Sequence, residues 1–280
     1  MKKRGKLEMT LKLLKYDIRS TFRTMWMFWA SAPIIALIVY FVKWGYSKVE
    51  VFNEAISFAG GLLKGASIAA FVICMIIMMV LTIVVIISRY YKGLVGQEGY
   101  LMHTLPAKPW QLITAKGITA FVTAVISGIV AILAFICLGG FEDIRTGFVF
   151  VGDVFRAFEH DPRYIVIAIE VVLILIFGVL KTIYQLYAAM SIGQLFDKHR
   201  VLCSVLSYIL LSIALAFIGV AGLSGFGDLI TDTIETWYVN LDEYKTINFV
   251  ALSMFAVEFV QVALFHVISE RILSKKLNLL

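Results

Sequence analysis

The sequence predicts an all-α integral membrane protein with six transmembrane helices, both termini in the cytoplasm and an amphipathic helix before the first span. Three observations predict this fold class. Of the 280 residues, 61% are hydrophobic and only 16% are charged, whereas soluble domains are about 45–50% apolar and about 25% charged. The apolar residues form stretches that reach the ~20 residues needed to cross the hydrocarbon layer. The Lys and Arg residues gather on one side of these stretches.

Division of the chain at its charged residues yields six apolar segments. They are Thr24–Val42, Gly65–Ser88, Gly117–Gly140, a segment that begins after Arg163 and runs to about Phe196, Val201–Gly222 and, roughly, Asn248–Ile268. Each is long enough to span a bilayer. Because the fourth exceeds one perpendicular crossing, we expect it to tilt or to project beyond the membrane.

The charge distribution orients these spans. Most of the 25 Lys and Arg residues lie in the N-terminal arm, the loop 89–116, residues 198–200 and the C-terminal end, which share one side of the six spans. Because positively charged loops stay in the cytoplasm, we predict a multi-pass protein of the cell (plasma) membrane. The net charge of +6 then indicates contact with anionic lipids rather than with nucleic acid.

The arm of residues 1–23 is predicted to be a segment of its own, followed by a transmembrane domain over residues 24–280. Its apolar residues recur every three or four positions, which is typical of a helix; they are Leu7, Leu11, Leu14, Ile18 and Phe22. A cationic stripe lies one position along. We therefore predict an amphipathic helix in the plane of the inner leaflet; the alternative is an ordinary positively charged flank.

The predicted cytoplasmic loop 89–116 holds a short segment, Gln97–Leu105, whose apolar residues face the cytosol unless a partner covers them. Pro106 ends that segment, and Pro109 suits the first turn of the third span. The predicted outer loops are acidic and contain apolar pieces, such as Phe148–Val151, that are compatible with the outer membrane interface.

Three stretches of the chain resemble one family. The run Glu98–Pro106 is similar to the Glu-Gly-Tyr-Leu-x-x-Thr-Leu-Pro signature of permease subunits of bacterial type-two ABC exporters. Ser191–Arg200 resembles the Gly-Gln-Leu-Phe and basic segment that closes their fourth span, and Ile272–Leu279 resembles their C-terminus. The order of these stretches, with six spans, extends the resemblance over nearly the whole chain.

The resemblance implies a permease dimer, formed with the same or a related chain, that binds two cytosolic ATP-binding subunits. ATP and Mg would be held by those partners and no cofactor by this chain, which would not itself be an enzyme. The arm would be the elbow-like helix, and the loop 89–116 would carry the coupling helix. Its contact residues would be Gln97, Glu98, Gly99, Tyr100, Leu101, Thr104 and Leu105. The sequence contains no Gly-x-x-x-x-Gly-Lys-[Ser/Thr] motif, which fits this division of labour.

Polar residues inside the predicted spans are candidates for a substrate path or for contacts between helices. Glu258 lies near the middle of the sixth span, with Gln261 on the same face, and Glu170 and Lys181 share a face of the fourth. A charge at mid-bilayer costs about 2.5–3.5 kcal/mol, so each should face protein or water and have a partner. The cargo would be amphipathic, such as an antimicrobial peptide, a lipid-like molecule or a drug, by family analogy alone.

Two other functions stay open. One is a peptide-sensing or immunity protein of the same fold that does not transport. The other is a stand-alone carrier or membrane enzyme, for which Glu170 with Lys181 is the only paired ionisable hint. Cys74, Cys137 and Cys203 lie in apolar runs and the His residues are scattered, so neither a disulfide framework nor a metal site is expected.

Overall fold

A computed structural model describes residues 2–49, 54–95, 108–196, 198–238 and 243–275. Seven α-helices account for almost all of this part of the chain. They are α1 (Lys2–Val49), α2 (Glu54–Tyr90), α3 (Pro109–Gly139), α4 (Phe141–His160), α5 (Arg163–Gly193), α6 (Arg200–Tyr238) and α7 (Glu243–Lys275). A π-helical turn, Tyr91–Val95, continues α2.

Six of these helices are long and apolar enough to cross a membrane, which confirms the six predicted spans by length and composition. The candidate spans are Leu14–Gly45, Gly60–Leu94, Pro109–Gly139, Arg163–Gly193, Arg200–Gly219 and Ile247–Ser274. α3 begins at Pro109 as expected, because a proline at the first helical position has no N–H to lose. The sidedness of the termini and an in-plane helix over residues 1–23 stay predictions; α1 itself is continuous through Arg23.

The fourth spanning helix ends at Gly193 and not near Phe196 as predicted. Gly193 lies against the start of α6, where an added Cβ would be 2.8 Å from the Arg200 carbonyl oxygen. The chain therefore turns here: the Leu195 N–H donates to the Ile192 carbonyl, and His199 adopts a positive φ of 61° just before α6 begins. The turn that closes the span is packed against the helix that follows it.

The chain forms two compact units. One comprises residues 7–88 and 118–156, and its core is built mainly by α1. The buried α1 residues recur every three or four positions; they are Met25, Trp29, Ala32, Ala36 and Val39. Alanines let backbones approach closely, which favours helix packing in membranes. The Trp29 indole N–H donates to Ser127 Oγ at 2.9 Å, and Thr82 Oγ1 lies 3.0 Å from the same hydroxyl.

A left-handed glycine separates α3 from α4 in this unit. Gly140 has φ +75°, and its N–H donates to the Ile136 carbonyl oxygen, which closes the end of α3. A Cβ at Gly140 would collide with the Tyr40 ring. Glycine is therefore required at this position both for its backbone conformation and for the space that it leaves.

We expect Gly140→Ala to lower the stability of the protein by at least ~1–2 kcal/mol, the cost of a left-handed non-glycine residue, because Tyr40 must also move. The measurement is the thermal unfolding midpoint of purified protein in detergent. Gly128→Ala is the matched control, since nothing lies within 4 Å of a Cβ there and alanine favours a helix. An equal midpoint for Gly140→Ala and Gly128→Ala would contradict the prediction.

The second unit comprises residues 1–6, 89–117 and 157–280. In it α5 packs against α7 and α6. Phe177 of α5 contacts Phe255 and Phe259 of α7, with ring centroids 5.0 and 5.6 Å apart. This unit holds the polar residues of the predicted fourth and sixth spans, together with the described ends of the loop 89–116.

Candidate functional site

Polar side chains lie along the contact between α5 and α7. The first pair is Glu170 on α5 and Asn248 on α7, where Asn248 Nδ2 donates to Glu170 Oε1 at 2.8 Å. The other carboxylate oxygen, Glu170 Oε2, is buried without a hydrogen-bond partner in the described part of the chain. A buried acceptor left unpaired costs about 1–3 kcal/mol, so this end of the contact is only partly satisfied.

An ion pair lies further along the same two helices. Lys181 Nζ of α5 is 3.7 Å from Glu258 Oε1 of α7, and the side chains are 30% and 18% exposed. Gly178 gives the carboxylate room, because a Cβ there would stand 3.2 Å from Glu258 Oε1. The sequence predicted that Glu258 needs a partner. In this unit that partner is Lys181.

This pairing differs from the one that the sequence suggested for a stand-alone carrier. Glu170 and Lys181 share a face of α5, yet the structure gives them different partners on α7, namely Asn248 and Glu258. Three helical turns separate the two α5 residues, which is too far for a direct contact along one helix. Asn248 and Glu258 of α7 therefore make two separate contacts with α5, one with Glu170 and one with Lys181.

Two further buried acceptors lie on α7. Glu258 Oε2 and Gln261 Oε1 are buried and have no hydrogen-bond partner within the described ranges. One turn beyond Lys181, the Gln185 side-chain N–H₂ donates to Ser212 Oγ of α6 at 2.8 Å. Polar groups in spans are costly and usually line a path or hold helices together, and this arrangement is chemically able to do either.

A buried tyrosine cluster connects α5 to both ends of the loop 89–116; we call Tyr90, Tyr187 and Ser191 the loop-root cluster. The rings of Tyr90 and Tyr187 stack with centroids 3.9 Å apart. The Tyr90 hydroxyl lies 2.7 Å from Ser191 Oγ, and the Tyr187 hydroxyl donates to the Lys116 carbonyl oxygen at 3.1 Å. Tyr90 lies near the first end of the loop and Lys116 at its last residue, so α5 contacts both ends of the loop.

Sequence reasoning missed this cluster. The sequence contains one weak indication of it. Tyr184, Tyr187 and Ser191 recur at helical spacing beyond Lys181, and hydroxyl groups inside a span are costly unless they have partners. On α7, Ser269 is also fully buried, and its hydroxyl donates to the Phe265 carbonyl oxygen at 2.9 Å. His266 of α7 also lies edge-on to Tyr184, with ring centroids 5.3 Å apart.

The residues predicted to contact the ATP-binding subunit lie outside the described part of the chain. They are Gln97, Glu98, Gly99, Tyr100, Leu101, Thr104 and Leu105, all within the gap 96–107. The structure does describe both flanks, the π-helical turn Tyr91–Val95 and the start of α3. Among the described residues, no group of three or more His, Cys, Asp or Glu side chains could hold a metal ion.

Comparison of the chain with protein-family models, with curated proteins and with solved structures finds no match. Its function therefore has to be argued from its own residues.

Proposed function

We propose that this chain is the membrane-spanning permease subunit of an ATP-driven exporter for an amphipathic molecule. The observation that carries the proposal is the polar contact between α5 and α7, with the Lys181–Glu258 ion pair and the unpaired acceptors of Glu258 and Gln261. Ionisable groups inside spans are expensive and mark a substrate or ion path by default. The acceptors of Glu258 and Gln261 that have no partner in the described ranges could accept hydrogen bonds from a substrate.

The energy source is the second part of the proposal. No phosphate-binding Gly-x-x-x-x-Gly-Lys-[Ser/Thr] motif occurs in the sequence, so ATP and Mg would be bound by separate cytosolic subunits. Their contact on this chain would be the Gln97–Leu105 segment, by its resemblance to the coupling helix of type-two ABC exporters. A second permease subunit, the same chain or a related one, would complete the transporter.

The loop-root cluster supports a route from that segment to the polar contact. Tyr90 and Lys116 lie at the two roots of the loop, and both contact the part of α5 that follows Lys181. We propose that closure of the ATP-binding subunits pulls on the loop and displaces α5 through this cluster. A displacement of α5 relative to α7 would then open or close the path beside Lys181 and Glu258.

The test is the composition of the complex. Tagged protein extracted from its native membrane in mild detergent should carry an ATP-binding subunit, detected by native mass spectrometry. Tyr100→Asp and Leu101→Asp are each expected to lose that subunit, because a charge would be placed in an apolar contact. Val149→Asp is the matched control, since α3 separates it from the loop by one crossing and it should retain the subunit.

A specific observation favours a second candidate, a stand-alone ion carrier, because the Lys181–Glu258 pair provides two facing ionisable groups within a membrane segment. Activity of the isolated chain in liposomes without ATP would favour the carrier and contradict the exporter. Recovery of the ATP-binding subunit with coupled hydrolysis but no net transport would instead indicate a peptide-sensing or immunity protein.

A further inference from the structure

The helix α4 (Phe141–His160) has two chemically different faces. Phe148, Val151 and Phe155 follow one another at spacings of three and four residues and so share one face of the helix. They are all exposed, Phe148 by 75% and Val151 by 49%. Three large apolar side chains on one exposed helix face are unusual for a surface that meets water.

A second face of α4, about 120° around the helix from the first, carries charges. Arg145, Val149, Asp153 and Arg156 recur at spacings of four, four and three residues. All four side chains are exposed, and Arg156 Nη1 lies 3.2 Å from Asp153 Oδ1. Val149 is thus an apolar residue flanked along its face by charges, whereas Val151, two positions on, lies on the apolar face.

The connections of α4 decide which partner covers the apolar face. Gly140 alone separates α4 from α3, and only Asp161 and Pro162 separate it from α5. Both neighbours are candidate membrane spans, so in a bilayer the ends that adjoin α4 would lie at a membrane surface. α4 is about 30 Å long at ~1.5 Å per residue, and its charges keep it from being a span itself.

We propose that α4 lies in the plane of the membrane interface, with Phe148, Val151 and Phe155 in the boundary between headgroups and acyl chains. Its partner is the lipid surface on the side of the membrane opposite the loop 89–116, because α3 crosses the bilayer once between them. A helix with one apolar and one charged face has this position as its lowest free energy.

The test is the accessibility of two labels on the intact protein in phosphatidylcholine liposomes. A background in which Cys74, Cys137 and Cys203 are replaced by Ala receives either Val151→Cys or Val149→Cys, each carrying a nitroxide spin label. Power-saturation measurements then compare collisions with oxygen, which concentrates in hydrocarbon, and with a water-soluble nickel chelate.

We expect the ratio of oxygen to nickel accessibility to reverse between the two positions, with residue 151 favouring oxygen and residue 149 favouring nickel. Equal, high nickel accessibility at both positions would overturn the proposal, because the helix would then stand in water. Low accessibility of residue 151 to both reagents would also overturn it, since the apolar face would then be covered by protein, such as a second copy. Neither outcome depends on ATP or on transport.

Discussion

Lys181→Met is expected to destabilise the protein by about 2.5–3.5 kcal/mol, the cost of a lone charged side chain at the centre of a span. Lys181 Nζ lies 3.7 Å from Glu258 Oε1, and the other Glu258 oxygen is buried without a partner in the described ranges. Removal of the lysine leaves the carboxylate without its counter-charge. The measurement is the thermal unfolding midpoint in detergent, together with the yield of membrane-inserted protein.

A second substitution should restore this stability. In Lys181→Met/Glu258→Met both charges are gone, and replacement of a whole ion pair by apolar residues is often neutral or stabilising. Lys245→Met is the matched control, because Lys245 is an exposed lysine at the start of α7 and its loss should change little. A single Lys181→Met variant as stable as Lys245→Met would show that the pair does not stabilise the fold.

Glu258→Gln and the double methionine variant together separate a transport role of the ion pair from a packing role. Glu258→Gln keeps a side chain of the same shape, so the complex should still assemble. We expect ATP-dependent transport to fall about tenfold, which corresponds to about 1.4 kcal/mol. The double methionine variant should be folded yet inactive. Normal transport by either variant would mean that the pair only holds α5 against α7.

Tyr90→Ala is expected to have the other large effect, a loss of about 3–5 kcal/mol, as for other buried aromatic rings replaced by alanine. Tyr90 is fully buried, stacks on Tyr187 and lies 2.7 Å from Ser191 Oγ. Tyr90→Phe keeps the ring and loses only the hydroxyl contacts, so its cost should be about 0.5–1.5 kcal/mol. Thermal unfolding midpoints measure both.

Tyr16→Ala is the control for this series, because Tyr16 is 69% exposed and its loss should be nearly neutral. If Tyr90→Ala unfolded at the same temperature as Tyr16→Ala, the loop-root cluster would not be a structural contact. Tyr90→Phe also tests its role in coupling: the ATP-binding subunit should remain bound while transport per ATP hydrolysed decreases. Unchanged transport per ATP would remove the cluster from the proposed route.

The spans of this protein could be predicted from its sequence because hydrophobic length is a local property. A stretch such as Val201–Gly222 is long and apolar enough to cross hydrocarbon whatever its neighbours do. Pro109 suits the start of a helix for reasons within its own turn. The need of Glu258 for a partner was equally visible, since it follows from the cost of a carboxylate in a span. The sequence also marked Phe148–Val151 as an apolar piece compatible with the outer membrane interface, and the structure adds that this piece lies on the helix α4.

The identity of the partners was decided only by tertiary structure. Nothing in the sequence distinguishes Glu170 from Glu258 as the counter-charge of Lys181, because the choice depends on how α5 and α7 align along their contact. The stacking of Tyr90 on Tyr187 likewise joins residues that are distant along the chain. The sequence by itself determined how many helices are long and apolar enough to enter a membrane and which of their polar groups need partners. Packing decided which of those groups meet, because contacts between helices depend on how the helices align, which no single segment determines.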